Sequence, residues 1–286
     1  MYNDFSVIGF GEAAQTFCRQ GEWSAHAQVF DRKTDDPALA DHKRCEFSAL
    51  GVNGYADTKS AVKSSDLILS LVTADQSVNA AKAASEALGS HALFLDMNSV
   101  APDTKREAAK IVDAKGGRYV DVAIMAPVQP KALDVPILIS GPAAGDAHNA
   151  LAGLGFKNLK IAGADVGQAS TIKMLRSIMI KGIEALTAEC VLAADRAGAL
   201  DAVLEALGGD WAERANYNLD RMMIHGTRRA AEMEEVVRTI EGLGMQALLT
   251  SGTVRRQAEI GALGHKKTPE NLKEKLALLA QEETIS

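Results

Sequence analysis

A glycine-rich turn near the beginning of the chain contains the first residues whose types and spacing could do chemistry. The sequence Gly9-Phe10-Gly11-Glu12-Ala13-Ala14 directly follows an apolar run and fits the pattern G-x-G-x-x-[GA]. In this pattern the first glycine makes a tight turn, the second lets backbone N–H groups approach a pyrophosphate, and the small third residue lets a helix pack on the strand. The phosphate then lies at the positive end of that helix. The turn predicts that a dinucleotide binds at Gly9, Phe10, Gly11, Glu12 and Ala13.

An acidic residue ends the next apolar run, as a dinucleotide site requires. Asp31 lies twenty positions after Gly11, where a carboxylate that binds the ribose hydroxyls is expected. Asp31 favours NAD, because it can accept a hydrogen bond from the ribose 2′-hydroxyl. Arg32 and Lys33 follow at once, and they either hold the 2′-phosphate of NADP or are solvated loop charges. We therefore expect NAD or NADP as the cofactor and favour NAD. The alternative is that the glycine-rich turn is purely structural and binds no nucleotide.

The elements that must position these residues form two halves with different patterning. In residues 1–162, short apolar runs alternate with alanine-rich, helix-like segments such as Asp75–Leu88 and Pro102–Lys115. This alternation predicts an α/β domain with a Rossmann-type, doubly wound parallel sheet. The region Arg32–Val52 is the least regular and predicts a loop or an irregular helix. The predicted strands are Phe5–Ile8, Ala27–Phe30, Asp66–Val72, Ala92–Leu95, Tyr119–Ile124 and Pro136–Ile139.

No strand is predicted in residues 163–286, which are expected to form an all-α domain around one long helix. That helix runs from Gln168 to Arg196 and would be roughly 45 Å long. Such a helix exceeds the reach of a small domain, so a homodimer packed through the helical domains is expected. Thr268 as N-cap and Pro269 at the first helical position begin a last helix. Further helices are predicted at Asp201–Leu207, Asp210–Met223, Arg228–Leu243 and Gly244–Leu263.

Composition narrows the classes of function. Hydrophobic residues make up 47% of the 286 residues and charged residues 24%, which is typical of a soluble globular protein. The net charge of −6 argues against a nucleic-acid surface, and the six histidines have no metal-ligand spacing. Cys18, Cys45 and Cys190 are far apart and indicate a reducing compartment. No segment resembles a membrane helix or a signal peptide, so we expect a cytoplasmic protein that acts on a small molecule.

The order of these landmarks resembles a known family. The Gly9–Ala14 turn is followed by DMNSVAP at Asp96–Pro102, by VGQASTIK at Val166–Lys173, and by a long helix with an all-α domain. This order resembles the β-hydroxyacid dehydrogenases, which include 6-phosphogluconate, 3-hydroxyisobutyrate and tartronate-semialdehyde enzymes. The phrases GFGEAA and MAPV (at Met125–Val128) resemble a bacterial branch with an uncharacterised C-terminal domain. The resemblance covers essentially the whole chain. It implies an NAD(P)-dependent oxidoreductase that moves hydride between nicotinamide and a β-hydroxyacid-like substrate.

The resemblance also implies roles for individual residues. Lys173 matches the position of the family's proton-transfer lysine. The role is physically reasonable, because a lysine partly desolvated between two domains can have its pKa lowered toward neutrality. A surface lysine on a long helix is the alternative. Asn98 and Ser99 match a serine or threonine position at the strand edge where ligands bind, Asn98 toward the cofactor and Ser99 toward the substrate. Asn98 also suits the turn before a helix. Val72 and Thr73, after the neighbouring run, are expected to flank the cofactor.

The chain departs from the family pattern in its substrate loop. The family's D-A-P-V-S-G-G is replaced by DVAIMAP at Asp121–Pro127, which lacks the serine and glycines that bind the substrate carboxylate. Met125 and Pro127 would form an apolar lip that suits a bulkier or less polar substrate. The alternative is that Met125 simply packs in the core.

Two further departures lie on the helices. Arg176 and Ser177 replace an asparagine pair and share a helix face with Lys173, so both are expected near the substrate. Arg176 could bind a carboxylate or phosphate and lower the pKa of Lys173, or it could pair with an acidic side chain. A family lysine is missing near Ala231 and Glu232, where Arg228 and Arg229 either substitute or are solvated. These departures keep two alternatives open: an imine reductase on the same scaffold and a non-catalytic dinucleotide-binding protein.

Overall fold

The structure, a computed structural model, describes residues 5–283. The chain divides into two compact units, with the division between Lys173 and Met174, inside one long helix. The sequence-based boundary lay between residues 162 and 163, and the outermost residues of both predicted domains, 1–4 and 284–286, lie outside the described residues. No helix in the described part of the chain is long and apolar enough to cross a membrane.

An eight-stranded sheet forms the core of the first unit, in the order β3-β2-β1-β4-β5-β6-β7-β8. Every described neighbouring pair is parallel except β6 and β7, which are antiparallel. The strands are β1 (Phe5–Ile8), β2 (Ala27–Phe30), β3 (Asn53–Gly54), β4 (Leu67–Ser70), β5 (Leu93–Asp96), β6 (Arg118–Ile124), β7 (Ile137–Ser140) and β8 (Leu159–Gly163). The predicted Rossmann-type sheet is confirmed, but its parallel arrangement was wrong at this one pair. The β6–β7 connection carries no crossover helix, which a parallel neighbour would need.

Helices cover both faces of this sheet, as predicted for a doubly wound fold. Successive strand residues point to opposite faces. On one face Val7 lies in an apolar cluster with Phe17 and Leu151, and on the other Ile68 lies in a cluster with Ala108. The irregular region Arg32–Val52 contains a short 3-10 helix and one regular helix. The helices of this part are α1 (Glu12–Gln20), α2 (Ala40–Ala49), α3 (Thr58–Val62), α4 (Ser77–Ser85), α5 (Pro102–Asp113) and α6 (Ala144–Gly153).

The rest of the described chain is helical, as predicted. The long helix has the predicted bounds, whereas the two helices predicted at Asp210–Met223 and Arg228–Leu243 are one continuous helix. Gly226 does not break it; a Cβ there would lie 2.4 Å from the carbonyl oxygen of Gln257, so the glycine permits close helix packing. The helices are α7 (Gln168–Arg196), α8 (Leu200–Leu207), α9 (Trp211–Gly242), α10 (Leu248–Ala262) and α11 (Leu272–Glu283).

The beginning of the last helix was predicted too early. The helix α11 begins at Leu272, and Asn271 Oδ1 accepts a hydrogen bond from Glu274 N at 3.0 Å. The hydroxyl of Thr268, the predicted cap, instead bonds the carboxylate of Asp220 on α9. The Thr268 hydroxyl, which local spacing assigned to an N-cap, therefore bonds a residue distant in sequence instead.

Candidate functional site

The two glycines of the turn between β1 and α1 have different surroundings. Gly9 has no room for a side chain, whereas Gly11 has open space beside it. Gly9 has a φ of +86°, and a Cβ there would lie 2.6 Å from the carbonyl oxygen of Leu71, so this position requires glycine. Gly11 is the N-cap of α1, and a Cβ there would meet no atom within 4 Å. No side chain accepts a hydrogen bond from the first-turn N–H groups of α1 at the N-cap. This is the geometry in which helix N-termini bind phosphates.

Asp31 lies beside this turn and is fixed in place by backbone donors. Its Oδ2 accepts a hydrogen bond from Phe10 N at 2.7 Å, and its Oδ1 accepts one from Lys33 N at 2.9 Å. Each carboxylate oxygen keeps a lone pair that a ribose hydroxyl can use. The carboxylate is buried, whereas the side chains of Arg32 and Lys33 are exposed. The structure thus brings Phe10 and Asp31 together.

Lys43 on α2 supports the same turn and was missed by the sequence analysis. Its buried Nζ donates to the carbonyl oxygen of Phe10 at 3.0 Å and lies 4.0 Å from Asp31 Oδ2. Gln15 donates to the same carbonyl, and both side chains bond Glu46. Burial alone would raise the pKa of Glu46, but the hydrogen bonds and the charge of Lys43 lower it below its ordinary value. Because Lys43 lies in the least regular region, local patterning carried no signal for it.

Four polar residues form a continuous row across the sheet at the end of β4 and β5. Ser70 is in register with Asp96, Asp96 with Asp121, and Asp121 with Ser140. All four are completely buried. Two carboxylates opposite each other on neighbouring strands repel, so such a row needs a compensating cation.

The compensating cation is Lys105 of α5, whose side chain is also completely buried. Its Nζ donates to the carbonyl oxygen and Oδ1 of Asp96 at 2.7 and 2.9 Å, and it lies 3.5 Å from Asp121 Oδ1. We refer to Lys105, Asp96 and Asp121 as the buried charge cluster. The sequence carried a signal for it, since Asp96 and Asp121 are the acidic residues of β5 and β6, and both lie among apolar neighbours.

Asp96 holds the segment after β5. Its Oδ1 accepts a hydrogen bond from Asn98 N at 2.9 Å, and its Oδ2 accepts from the hydroxyls of Ser77 and Tyr119 at 2.9 and 2.6 Å. Burial and the charges of Asp96 and Asp121 raise the pKa of Tyr119 well above its ordinary value. The hydroxyl of Tyr119 therefore stays protonated and donates to Asp96 at neutral pH.

Asn98 and Ser99 present buried polar atoms that lack a partner. Asn98 Nδ2 donates to Ser70 Oγ at 3.0 Å. Asn98 Oδ1 and Ser99 Oγ make no hydrogen bond to any described residue. Buried polar atoms are nearly always satisfied in native proteins, so these two are suited to a bound molecule. Val72, half-buried, and Thr73, exposed, follow the neighbouring strand β4.

Asp121 and Ser140 anchor the beginning of α7. Asp121 Oδ2 accepts hydrogen bonds from Ser170 N and Oγ at 2.9 and 3.0 Å, and from Ser140 Oγ at 3.1 Å. Ser140 Oγ in turn accepts from Ala169 N at 2.9 Å. Lys173 lies one turn further along α7 and is half-buried. A buried carboxylate at a helix N-terminus is favourable because the helix dipole is positive there.

The other predicted substrate residues have varied surroundings. Met125 is half-buried, and its backbone N–H bonds the carbonyl oxygen of Pro136 at 2.8 Å, while Pro127 is exposed. On α7, Arg176 is exposed and Ser177 is buried.

Arg229 was expected either to replace a missing lysine or to be solvated, and the second alternative is wrong. It is buried on α9, and its guanidinium bonds both carboxylate oxygens of Glu184 on α7. Gln257 Nε2 donates to the same carboxylate at 3.0 Å. Arg228 is exposed, as one of the two alternatives expected. The buried pair joins α9 to α7 and so contributes to helix packing.

The residues around the first turn fit a nicotinamide dinucleotide. Gly11 leaves space before an uncapped helix N-terminus, Asp31 has free lone pairs, and Asn98 Oδ1 lacks a partner. The strands that carry them, β1, β2 and β5, belong to one parallel part of the sheet, so their carboxyl ends share an edge. Within residues 5–283 no group of His, Cys, Asp and Glu could hold a metal ion.

Two family models match the chain. Residues 4–148 match the NAD binding domain of 6-phosphogluconate dehydrogenase. Residues 194–260 match a domain of unknown function, DUF1932. Together the matches cover parts of both halves that the sequence patterning distinguished, and they confirm the predicted resemblance.

Solved structures are similar over nearly the whole chain. A conserved hypothetical protein from Sinorhizobium meliloti is 36% identical, with 98% of this chain and 97% of that chain covered and a TM-score of 0.77. A conserved protein of unknown function, described as structurally similar to 3-hydroxyacid dehydrogenases, is 30% identical, with 91% and 97% covered and a TM-score of 0.69.

More distant structures share the fold. The 3-hydroxyisobutyrate dehydrogenase of Mycobacterium tuberculosis, solved with L-serine, is 16% identical, with 98% of this chain and 100% of that chain covered and a TM-score of 0.73. An imine reductase of Streptomyces aurantiacus is 18% identical, with 97% and 99% covered and a TM-score of 0.55.

Proposed function

Because the chain belongs to the family that carries the NAD binding domain of 6-phosphogluconate dehydrogenase, we propose that it is an NAD(P)-dependent oxidoreductase acting on a β-hydroxyacid-like substrate. Hydride passes between nicotinamide and the hydroxyl-bearing carbon, and Lys173 is the general acid and base. The observation that carries the proposal is the pair of unpartnered buried atoms, Asn98 Oδ1 and Ser99 Oγ, at the carboxyl edge of the sheet. A cofactor amide or hydroxyl and a substrate hydroxyl would satisfy them.

Each residue has a distinct task in this proposal. When bound, the nicotinamide ring accepts or supplies the hydride. As the carbon loses hydride, the substrate oxygen must lose a proton, which neutral Lys173 Nζ accepts; in the reverse direction its ammonium returns the proton. Asp31 orients the ribose, and the N–H groups at the beginning of α1 hold the pyrophosphate. Asn98 and Ser99 orient the reacting groups.

The proposal is tested by turnover with NAD and NADP on a panel of β-hydroxyacids, related alcohols, and imine-forming amine and ketone pairs. We expect one hydroxyacid or alcohol to be oxidised. Turnover of imines alone would support the imine reductase alternative, which shares the fold but replaces the carbon–oxygen bond by carbon–nitrogen. Tight cofactor binding without any turnover would favour a binding protein.

Cofactor preference is expected to follow Asp31. Its carboxylate repels a 2′-phosphate, so Asp31→Asn should shift the ratio of Kd values roughly tenfold toward NADP. Titration of both nucleotides by fluorescence or calorimetry measures this ratio. The control is Asp35→Asn, which also removes one negative charge but from an exposed position, in the short 3-10 helix that follows Asp31. An unchanged ratio in Asp31→Asn would show that Arg32 and Lys33 set the preference instead.

We also propose that the active form is a homodimer packed through α7. Large apolar side chains on one face of this helix are exposed, among them Met179 at 62%, Ile183 at 37% and Leu186 at 69%. An extended exposed apolar face is typical of an interface, and a second copy would cover it. Leu186→Glu should convert the dimer into a monomer in light scattering, because it would bury an unpaired charge. Glu205→Gln, an exposed change on α8, should not. A wild-type monomer at all concentrations would contradict the proposal.

A further inference from the structure

The buried charge cluster takes no part in the chemistry proposed above, yet it joins two segments that do. Through Asp96 it contacts the backbone of Asn98, after β5. Through Asp121 it contacts the first turn of α7, which precedes Lys173. All three charged side chains are completely buried, so water does not compensate their charges. Burying three charges carries a large desolvation penalty, and the position of the cluster between these two segments suggests a role beyond packing.

The ammonium of Lys105 links Asp96 to Asp121. Asp96 and Asp121 are register partners on neighbouring strands, and burial strengthens their repulsion. Lys105 Nζ makes two hydrogen bonds to Asp96 and lies 3.5 Å from Asp121 Oδ1. Asp121 Oδ1 makes no hydrogen bond to any described residue, so the ammonium is what faces it. Without that ammonium, Asp121 would have a charge and no cation to hold it at the beginning of α7.

The first turn of α7 depends on this contact. The first N–H groups of a helix find no acceptor inside it. In α7, Gln168 N bonds the carbonyl oxygen of Asp165, Ala169 N bonds Ser140 Oγ, and Ser170 N bonds Asp121 Oδ2. Lys173 follows Ala169 by four residues and Ser170 by three, so it stands on the same side of the helix, one turn above the anchored amides.

We propose that Lys105 is a positioning residue for proton transfer: it holds Asp121, which fixes the first turn of α7 and thereby the ammonium of Lys173 relative to the Asn98 segment. The inference rests on the proposed function and adds to it. Lys105 acts through Asp121 and not by contact with substrate. Misplacement of a catalytic group by a fraction of an ångström is enough to slow a reaction.

Three variants separate the parts of this link. Asp121→Asn keeps the shape and one acceptor oxygen, and it leaves Lys105 paired with Asp96. Ser140→Ala removes the acceptor of Ala169 N and the hydroxyl that donates to Asp121 Oδ2, and it leaves the charges of the cluster in place. Lys105→Met removes the ammonium with little change of volume. Lys110→Met makes the same change at an exposed position of the same helix, α5, and serves as the matched control.

Two readouts report on Lys173 without any substrate. Acetylation of Lys173 by acetic anhydride, followed over pH by mass spectrometry, measures its pKa and its accessibility. Amide hydrogen exchange measures the opening of residues 168–171. In Asp121→Asn and Lys105→Met we expect Lys173 to be acetylated faster with a shifted pH profile, and the amides of Ala169 and Ser170 to exchange roughly tenfold faster. Ser140→Ala should accelerate exchange at Ala169, and Lys110→Met should match the wild type.

A merely structural role would give a different result. It would lower Tm in the cluster variants, by roughly 10 °C for Lys105→Met, while acetylation and exchange at α7 stay at wild-type values well below Tm. That outcome would overturn the proposal. If Lys105→Met does not fold, Asp121→Asn and Ser140→Ala decide between the two, because they remove less.

Failure of the positioning role and failure of the proposed function are distinguishable. With a substrate in hand, Asp121→Asn should lower kcat and shift its pH profile while the Kd for the cofactor stays unchanged. A chain that turns over no member of the panel contradicts the proposed function, whereas acetylation and exchange still decide whether Lys105 positions Lys173.

Discussion

Replacing Lys173 by alanine is expected to lower kcat by roughly 1000-fold while the Kd values for NAD and NADP remain unchanged. The reason is that the substrate oxygen must exchange a proton whenever the neighbouring carbon exchanges hydride. No proton acceptor remains at that position of α7 in the variant, whereas the turn that binds the dinucleotide is untouched. The measurement is steady-state turnover with the active panel member, together with cofactor titration. Small primary amines added to the variant should restore part of the activity.

The control for this experiment is Lys181→Ala on the same helix. Lys181 pairs with Glu232 at 2.8 Å, so its loss should lower Tm and leave kcat near the wild-type value. Retention of full activity in Lys173→Ala would contradict the assigned role and leave Lys173 as a structural residue. Loss of cofactor binding together with turnover would also contradict it, because the proposal separates the two.

Replacing Gly11 by valine is expected to weaken binding of both nucleotides by roughly 100-fold or more without loss of stability. The φ of Gly11 is −84°, which valine adopts without strain, and its missing Cβ faces no atom within 4 Å. The new side chain therefore fits the protein but occupies the space through which the pyrophosphate approaches the N-terminus of α1. Nucleotide titration and thermal unfolding measure the two effects.

Substitutions at two other glycines test whether weaker nucleotide binding results from filling the space beside Gly11. Gly145→Val also meets no atom within 4 Å, but it lies at the beginning of α6, so binding should be unchanged. Gly9→Ala should instead lower the yield of folded protein, because the Cβ would approach Leu71 O to 2.6 Å. Nucleotide binding in Gly11→Val equal to that of the wild type would rule out the phosphate site assigned to this turn.

Local patterns in the sequence were enough for the elements and for the dinucleotide turn. Alternating apolar runs and helical segments place six of the eight strands near their observed positions, because each strand is buried on both faces and must be apolar. The long helix α7 has the predicted bounds, since its helical pattern is unbroken and Gly198 lies just beyond its end. The strand β3, with two residues, was too short to leave a pattern, and β8 coincided with the expected domain boundary.

Only the tertiary structure decided which distant residues meet. The antiparallel return of β7 depends on the path of residues 125–136, and the continuity of α9 depends on close packing at Gly226. Lys105 and Lys43 look like surface lysines in the sequence, because nothing in their neighbourhoods differs from an ordinary helix face. Lys105 becomes a buried cation because strand register places Asp96 beside Asp121, and Lys43 because α2 packs against the turn that contains Phe10. Spacing along the chain determines local conformation and faces, but charge compensation is a property of the folded neighbourhood.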